Sequence, residues 1–133
     1  MNRVYVVAEI GVNHDGNLNK AKELMLAAKN AGASAVKIQS YCANEMISSS
    51  AELANYQKNN TGNEFKNQQE LLKKYELTFS QQKELYDYSQ EIKIDFLTSV
   101  FDFKSLDFVL QELKLNRIKI GSGELTNLPL IYQ

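Results

Sequence analysis

Four short runs of β-branched and apolar residues, Val4 to Ile10, Ala35 to Gln39, Ile94 to Val100 and Arg117 to Ile120, constrain the fold more than any other feature of the chain. Each reads as a strand. The first is nearly continuous in apolar residues rather than alternating, the pattern of a parallel strand covered on both faces. Between the first two runs Leu18, Ala21, Leu24, Met25 and Ala28 recur at helical spacing, with Asn17 placed to cap the helix and Gly32 just past its end. Between the last two, Asp102 is placed to cap and Leu106, Val109, Leu110 and Leu113 form one stripe. Both are βαβ units, so the strands build a parallel sheet with right-handed crossovers.

The connection from the second run to the third is longer, from about Ser40 to Lys93. Its distal part predicts a helix from Thr78, with Gln81 as the reciprocal partner of a capping box and Leu85, Tyr88 and Ile92 on one face. Its proximal part is polar and rich in Asn and Gln, and reads either as a solvated excursion or as a substrate loop of an α/β enzyme. After the fourth run, Thr126 or Asn127 is placed to cap a new helix with Pro129 in its first turn.

No strand is followed by GxGxxG or GxxxxGK[ST], which disfavours an open nucleotide-binding sheet and favours a barrel. An eight-stranded parallel barrel takes about 250 residues. At 133 residues the chain therefore reads as one unit, 1–133, that forms the N-terminal (βα)4 half of a TIM-type α/β barrel and leaves it incomplete.

Composition removes several functions. Fifteen Lys and Arg against sixteen Asp and Glu leave no basic stripe for nucleic acid. Apolar runs fall well short of the roughly 18 residues of a membrane span, and no leader pattern precedes the first strand. The single Cys42 forms no internal disulfide and reads as a small half-buried hydrophobe, since no histidine follows it to activate it. A cytoplasmic protein is the expectation.

In a parallel α/β barrel the chemistry sits where strands run into the following loops. Those points carry Glu9, Asn13, His14 and Asp15 after the first strand, Lys37 and Gln39 on the second, Thr98 and Ser99 on the third, and Lys119, Ser122 and Glu124 at the fourth. Side chains alternate along a strand, so Lys37 and Gln39 share the face opposite Val36 and Ile38. A lysine aimed into a barrel mouth is costly to desolvate without an anion. Its partner is either Glu9, as a buried ion pair, or a phosphate or carboxylate ligand. GSGE at 121–124 sets glycines on both sides of Ser122, so backbone N–H groups and a hydroxyl come close to a ligand. With Lys37, Thr98 and Ser99 this describes an oxyanion cradle suited to a phosphorylated small acid. A carboxylate beside it, Glu9, suits a second substrate, whose hydroxyl or proton it would manage. His14 is the only histidine, so the chain assembles no multi-histidine metal site, and His14 itself reads either as a turn residue bonding the local backbone or as a catalytic group.

The ordered set AEIGVNHDG, AVKIQSY, ANYQKNNTG, FLTSVFD and IKIGSGELTNLPLI resembles the sialic acid synthase family, which includes N-acetylneuraminate, legionaminate and pseudaminate synthases. The resemblance runs from the first strand to the last residue but spans only the first half of that family's catalytic barrel. The second half-barrel and the C-terminal antifreeze-like domain have no counterpart here. It implies condensation of phosphoenolpyruvate with an N-acetylmannosamine-type sugar, giving a nine-carbon α-keto acid and phosphate with a divalent metal such as Mn2+. It implies that Lys37, Ser99 and Ser122 bind phosphoenolpyruvate. Glu9 and Gln39 would face the sugar with Glu9 near the reacting carbon, and Asn60 would lie at the sugar end. Where the family usually reads FLSTPFD, this chain swaps the hydroxyl residues and carries Val100 for proline. Either Thr98 or Ser99 can then be the ligand hydroxyl. The family's two metal-binding histidines fall in the absent half, and its homodimers pair through the absent C-terminal domain. Both the AEIGVNHDG and the YQKNNTG motifs look more like the neuraminate and legionaminate branches than the pseudaminate one.

Two other readings stay open at this stage. One is a Schiff-base aldolase in which Lys37 attacks a keto acid. The other is a non-catalytic half-barrel, whose unpaired strand edges would have to associate with something.

Overall fold

A computed structural model describes residues 4–46 and 67–133. In chain order the elements are β1 (Val7–Gly11), α1 (Leu18–Asn30), β2 (Ala35–Ser40), α2 (Ala43–Met46), α3 (Gln68–Tyr75), α4 (Phe79–Glu91), β3 (Asp95–Val100), α5 (Phe103–Asp107), β4 (Lys119–Ile120) and α6 (Leu128–Tyr132). The strands form one parallel sheet in the order β1-β2-β3-β4, and it does not close. This is the four-stranded opening half of a parallel α/β barrel.

The expected caps explain where the main helices start. The Asn17 side chain accepts the Lys20 N–H, Asp102 accepts that of Ser105, and Thr78 with Gln81 completes a capping box at α4. Ala21 and Met25 of α1 and Leu85 of α4 pack against Val36 and Ile38 of β2 and Phe96 and Val100 of β3, forming a core between helices and sheet. Each large apolar side chain buried there contributes about 1.5–3 kcal/mol. Three buried polar groups cross the same layer. Ser40 Oγ donates to Gln82 Oε1 at 2.5 Å and lies 2.7 Å from Thr98 Oγ1, while Gln82 Nε2 donates to the Leu77 carbonyl at 2.9 Å. They tie β2 and β3 to α4 with every partner satisfied.

Several expectations need correction. The ladder of β1 begins at Val7, not Val4, and Val4, Tyr5 and Val6 are exposed. Val7 and Glu9 are exposed as well, so β1 is covered on its helix side only: with four strands, nothing among the described residues stands opposite its other face. Ladder pairing in β4 is confined to Lys119 and Ile120, because Arg117 is turned to Asp95 Oδ2 (2.8 Å) and the Tyr5 hydroxyl (3.2 Å) at the lower end of the sheet. The end of the proximal connection, read either as a solvated excursion or as a substrate loop, holds α3, capped by Asn67 and with Leu71 buried. Beyond α5 the helix widens to a π turn over Phe108–Glu112, where the Leu113 N–H reaches back five residues to the Phe108 carbonyl. Asn127 takes the N-cap position of α6, but its amide donates to Glu124 Oε2 instead of capping.

Candidate active site

Strand register sets the site. Glu9 on β1 is paired with Lys37 on β2, Gln39 with Ser99 on β3, and Ser99 with Lys119 on β4. Neighbours in register project to one side of a sheet, so these side chains share the face turned away from the helices, near the carboxyl ends of the strands. Val36 and Ile38 fill the other face, as the alternation requires.

Lys37 is 9 % exposed, and its Nζ donates to Ser99 Oγ at 2.9 Å and meets Glu9 Oε2 at 2.7 Å. The lysine is enclosed while the glutamate side chain is half exposed. An ammonium group has three donors, and a carboxylate that still faces water can exchange its place for an anionic ligand. The group therefore combines a fixed cation, a fixed hydroxyl and a releasable carboxylate. Gln39 stands half-buried beside them on the same face of β2.

Thr98 is corrected by the geometry. It is fully buried on the helix side, with its hydroxyl against Ser40 and the Ile38 carbonyl, and so is turned away from Lys37. Of the two hydroxyls left open by the altered FLTSVFD stretch, Ser99 is the one that meets the lysine. Alternation from Phe96, an apolar core residue, could have made this choice from sequence.

Ser122 stands exposed at the start of a 3-10 turn, Ser122–Glu124. The two glycines beside it differ in their surroundings: a Cβ on Gly121 would meet the Phe101 ring at 3.1 Å, whereas Gly123 faces open space. At Gly121 an added Cβ would therefore press on an aromatic ring. Lys119, noted at a strand end but not placed among the ligand groups, shares the face of Ser99 through the β3–β4 register and brings a second cation to it. Asn60 lies outside the described residues.

His14 is buried, and its Nδ1 accepts the Gly16 N–H at 3.0 Å. Of its two readings, the local backbone bond is the one the turn displays. Burial pushes its pKa down, against the opposing charge of Asp15. The Cys42 thiol is pushed up by burial and by the charge of Asp102, the direction of an inert thiol. Among the described residues no three His, Cys, Asp or Glu side chains converge to hold a metal ion, and no helix is long and apolar enough to cross a membrane.

Comparison with known proteins bears on this arrangement. The profile of the NeuB family matches residues 24–133. The chain is 42% identical over 96% of its length to an N,N'-diacetyllegionaminic acid synthase of Legionella pneumophila, covering 35% of that protein. It is 43% identical over 98% of its length to one of Campylobacter jejuni, covering 39%. Among solved structures, an N-acetylneuraminic acid synthetase of Leptospira borgpetersenii superposes with a TM-score of 0.75 at 28% identity, over 98% of this chain and 40% of that one. The chain thus spans little more than a third of the length of the curated relatives it matches.

Proposed function

Because the chain belongs to the NeuB family and its relatives include two N,N'-diacetyllegionaminic acid synthases, we propose that it forms the phosphoenolpyruvate-binding half of such a synthase. The reaction is the condensation of phosphoenolpyruvate with an N-acetylmannosamine-type sugar. A carbon–carbon bond forms between the methylene carbon of phosphoenolpyruvate and the sugar aldehyde carbon. Water adds to the enol carbon and phosphate leaves, so one water is consumed for each α-keto acid formed.

The observation that carries this reading is Lys37, enclosed between the Ser99 hydroxyl and the Glu9 carboxylate on one face of the sheet. An incoming phosphate or carboxylate oxygen accepts from Lys37 Nζ and Ser99 Oγ, with Ser122 and Lys119 adding a donor and a second charge. Lys37 then gives up Glu9 for the ligand. Glu9, half exposed, is left to accept a hydroxyl hydrogen from the sugar, beside Gln39. Two carboxylates crowding one lysine would repel, so this exchange couples ligand arrival to the freeing of Glu9. The sugar is of the legionaminate or neuraminate precursor type, a choice supported by the names of the relatives.

The divalent metal implied by the family resemblance, manganese, finds no ligand set among the described residues, and no step is assigned to it. Its ligands, and the pairing of two copies into a homodimer, are proposed to belong to parts of the family's architecture that the matched region does not include. A cytoplasmic location goes with these substrates.

The test is phosphate release from phosphoenolpyruvate with manganese and a panel of N-acetylated mannosamine-type sugars, on the chain and its Lys37→Ala variant. Release that needs both one sugar and Lys37 supports the reading. Release that persists in Lys37→Ala, or a borohydride-trapped adduct on Lys37 with pyruvate, overturns it.

A further inference from the structure

The ladder between β2 and β3 ends at the pair Ser40 and Val100, one step beyond Gln39 and Ser99. Past that pair the two strands run into separate loops, and a side chain spans the gap between them. Two residues further on each strand, Asp102 Oδ2 accepts the Cys42 N–H at 2.7 Å. A carboxylate oxygen thus takes the place that a backbone carbonyl has inside the ladder. The same side chain caps α5: its Oδ1 accepts the Ser105 N–H at 2.8 Å, and Oδ2 also takes the Ser105 hydroxyl at 2.9 Å. Capping a helix needs one oxygen. The second is surplus to that duty and is spent across the loops. With Asp102 only 7 % exposed and its carboxylate gathering three donors, its direction is fixed. Farther out, Glu45 and Lys104 pair across the same two loops, but both are exposed and add little.

We propose that Asp102 is a positioning residue, which holds the carboxyl ends of β2 and β3 at a fixed spacing and so keeps Lys37 and Gln39 of one strand in place against Ser99 of the other. The bond from Lys37 Nζ to Ser99 Oγ crosses between these same strands, so any spreading of their ends lengthens it. The positional claim stands on the two loops alone; its effect on phosphoenolpyruvate rests on the synthase reading.

The experiment separates the two duties with Asp102→Ser, since a serine hydroxyl caps a helix with its single oxygen and lacks the second oxygen that reaches Cys42. Two controls accompany it. Ser105→Ala removes a donor to Asp102 without touching Cys42, and Thr78→Ala removes the cap of α4, whose hydroxyl bonds Gln81 of its own helix. Amide exchange followed in 15N spectra should find the Cys42 N–H protected in the wild type and in both controls. In Asp102→Ser it should exchange about tenfold faster, the lower end of what a hydrogen bond to a charged group is worth. Trinitrobenzenesulfonate labelling of Lys37, resolved by peptide mass spectrometry, should accelerate by about the same factor in Asp102→Ser alone. Phosphoenolpyruvate affinity, by calorimetric titration, should fall about tenfold in Asp102→Ser and stay level in the controls. By reciprocity, saturating phosphoenolpyruvate should slow exchange at Cys42 of the wild type by that factor. An unprotected Cys42 N–H in the wild type, or unchanged Lys37 reactivity in a folded Asp102→Ser, overturns the proposal. So does an equal loss of affinity in Thr78→Ala, the mark of a general loosening. Should Asp102→Ser fail to fold, the wild-type exchange decides: a Cys42 N–H that phosphoenolpyruvate binding does not slow overturns it. A wild type that binds no phosphoenolpyruvate counts against the synthase reading alone and leaves Cys42 exchange and Lys37 labelling to judge Asp102.

Discussion

Lys37 Nζ donates to Ser99 Oγ at 2.9 Å across two neighbouring strands, and that bond sets the direction in which the cation points. A charge-assisted hydrogen bond is worth about 1.5–3 kcal/mol and a neutral one about 0.5–1.5. Removing the cation with Lys37→Ala should therefore weaken phosphoenolpyruvate binding about 10- to 150-fold, and removing the hydroxyl with Ser99→Ala by about tenfold at most. Thermal stability should change little in Lys37→Ala, because the carboxylate it leaves behind is half exposed to water. Calorimetric titration with phosphoenolpyruvate beside a thermal melt measures both. Equal affinity in wild type and Lys37→Ala would remove the lysine from the site.

Thr98 and Ser99 are adjacent in sequence and opposite in role. Thr98→Val keeps the shape but leaves Ser40 without its neighbouring hydroxyl in the layer shared with Gln82. It should cost about 1–3 kcal/mol of stability in a urea titration with phosphoenolpyruvate affinity unchanged. Ser99→Ala should do the reverse, losing affinity with little loss of stability. A shared pattern in the two variants would mean that the sheet does not separate ligand face from helix face at this point.

Glycines at two turns should answer differently to the same change. Gly16 has φ +70°, and a Cβ there would lie 2.2 Å from the Lys74 carbonyl oxygen at the end of α3. Gly32 has φ +86° with open space around it. Gly32→Ala should then cost only the left-handed backbone strain, about 1–2 kcal/mol. Gly16→Ala should cost clearly more, since it must also push α3 away from the β1–α1 turn. Chemical denaturation of the two variants gives the comparison, and equal losses would show that α3 does not press on this turn.

Periodicity made most of this fold legible. Asn17, Thr78 with Gln81, and Asp102 marked helix starts through side chains that compete for exposed N–H groups, a purely local effect. What depended on distant contacts was not legible. The helix α3 is short and polar, with one buried residue, Leu71, and its Leu72 carbonyl accepts from the Tyr41 hydroxyl, 31 residues earlier in the chain. The exposed face of β1 follows from how many strands stand opposite it, which an apolar run such as Val4 to Ile10 does not encode. At the site, alternation places Lys37 and Gln39 together, and the same rule separates Ser99, which meets Lys37, from Thr98, which meets Ser40. The close packing of Gly121 depends on the Phe101 ring, 20 residues earlier in the chain, which no local pattern reveals.

Acid should destabilise the chain through His14 before it does so through the carboxylates. Burial lowers the histidine pKa from 6.5 in the folded state, so between 6.5 and that lower value the unfolded chain binds a proton that the folded chain does not. Stability then rises with pH across that window: the contribution is fully present above about 6.5 and is lost as the pH falls toward the folded value. Asp15 and Asp95 act lower down. Their pKa values are depressed from 3.8, by the hydrogen bond from Lys20 and by those from Tyr5 and Arg117, so what they add is lost only as pH falls below the ordinary carboxylate range. Urea midpoints measured from pH 7.5 to 4.5 should fall for the wild type and stay nearly level for His14→Asn, which has nothing to protonate. Parallel curves for the two proteins would show that the ring is free to take up its proton in the folded chain.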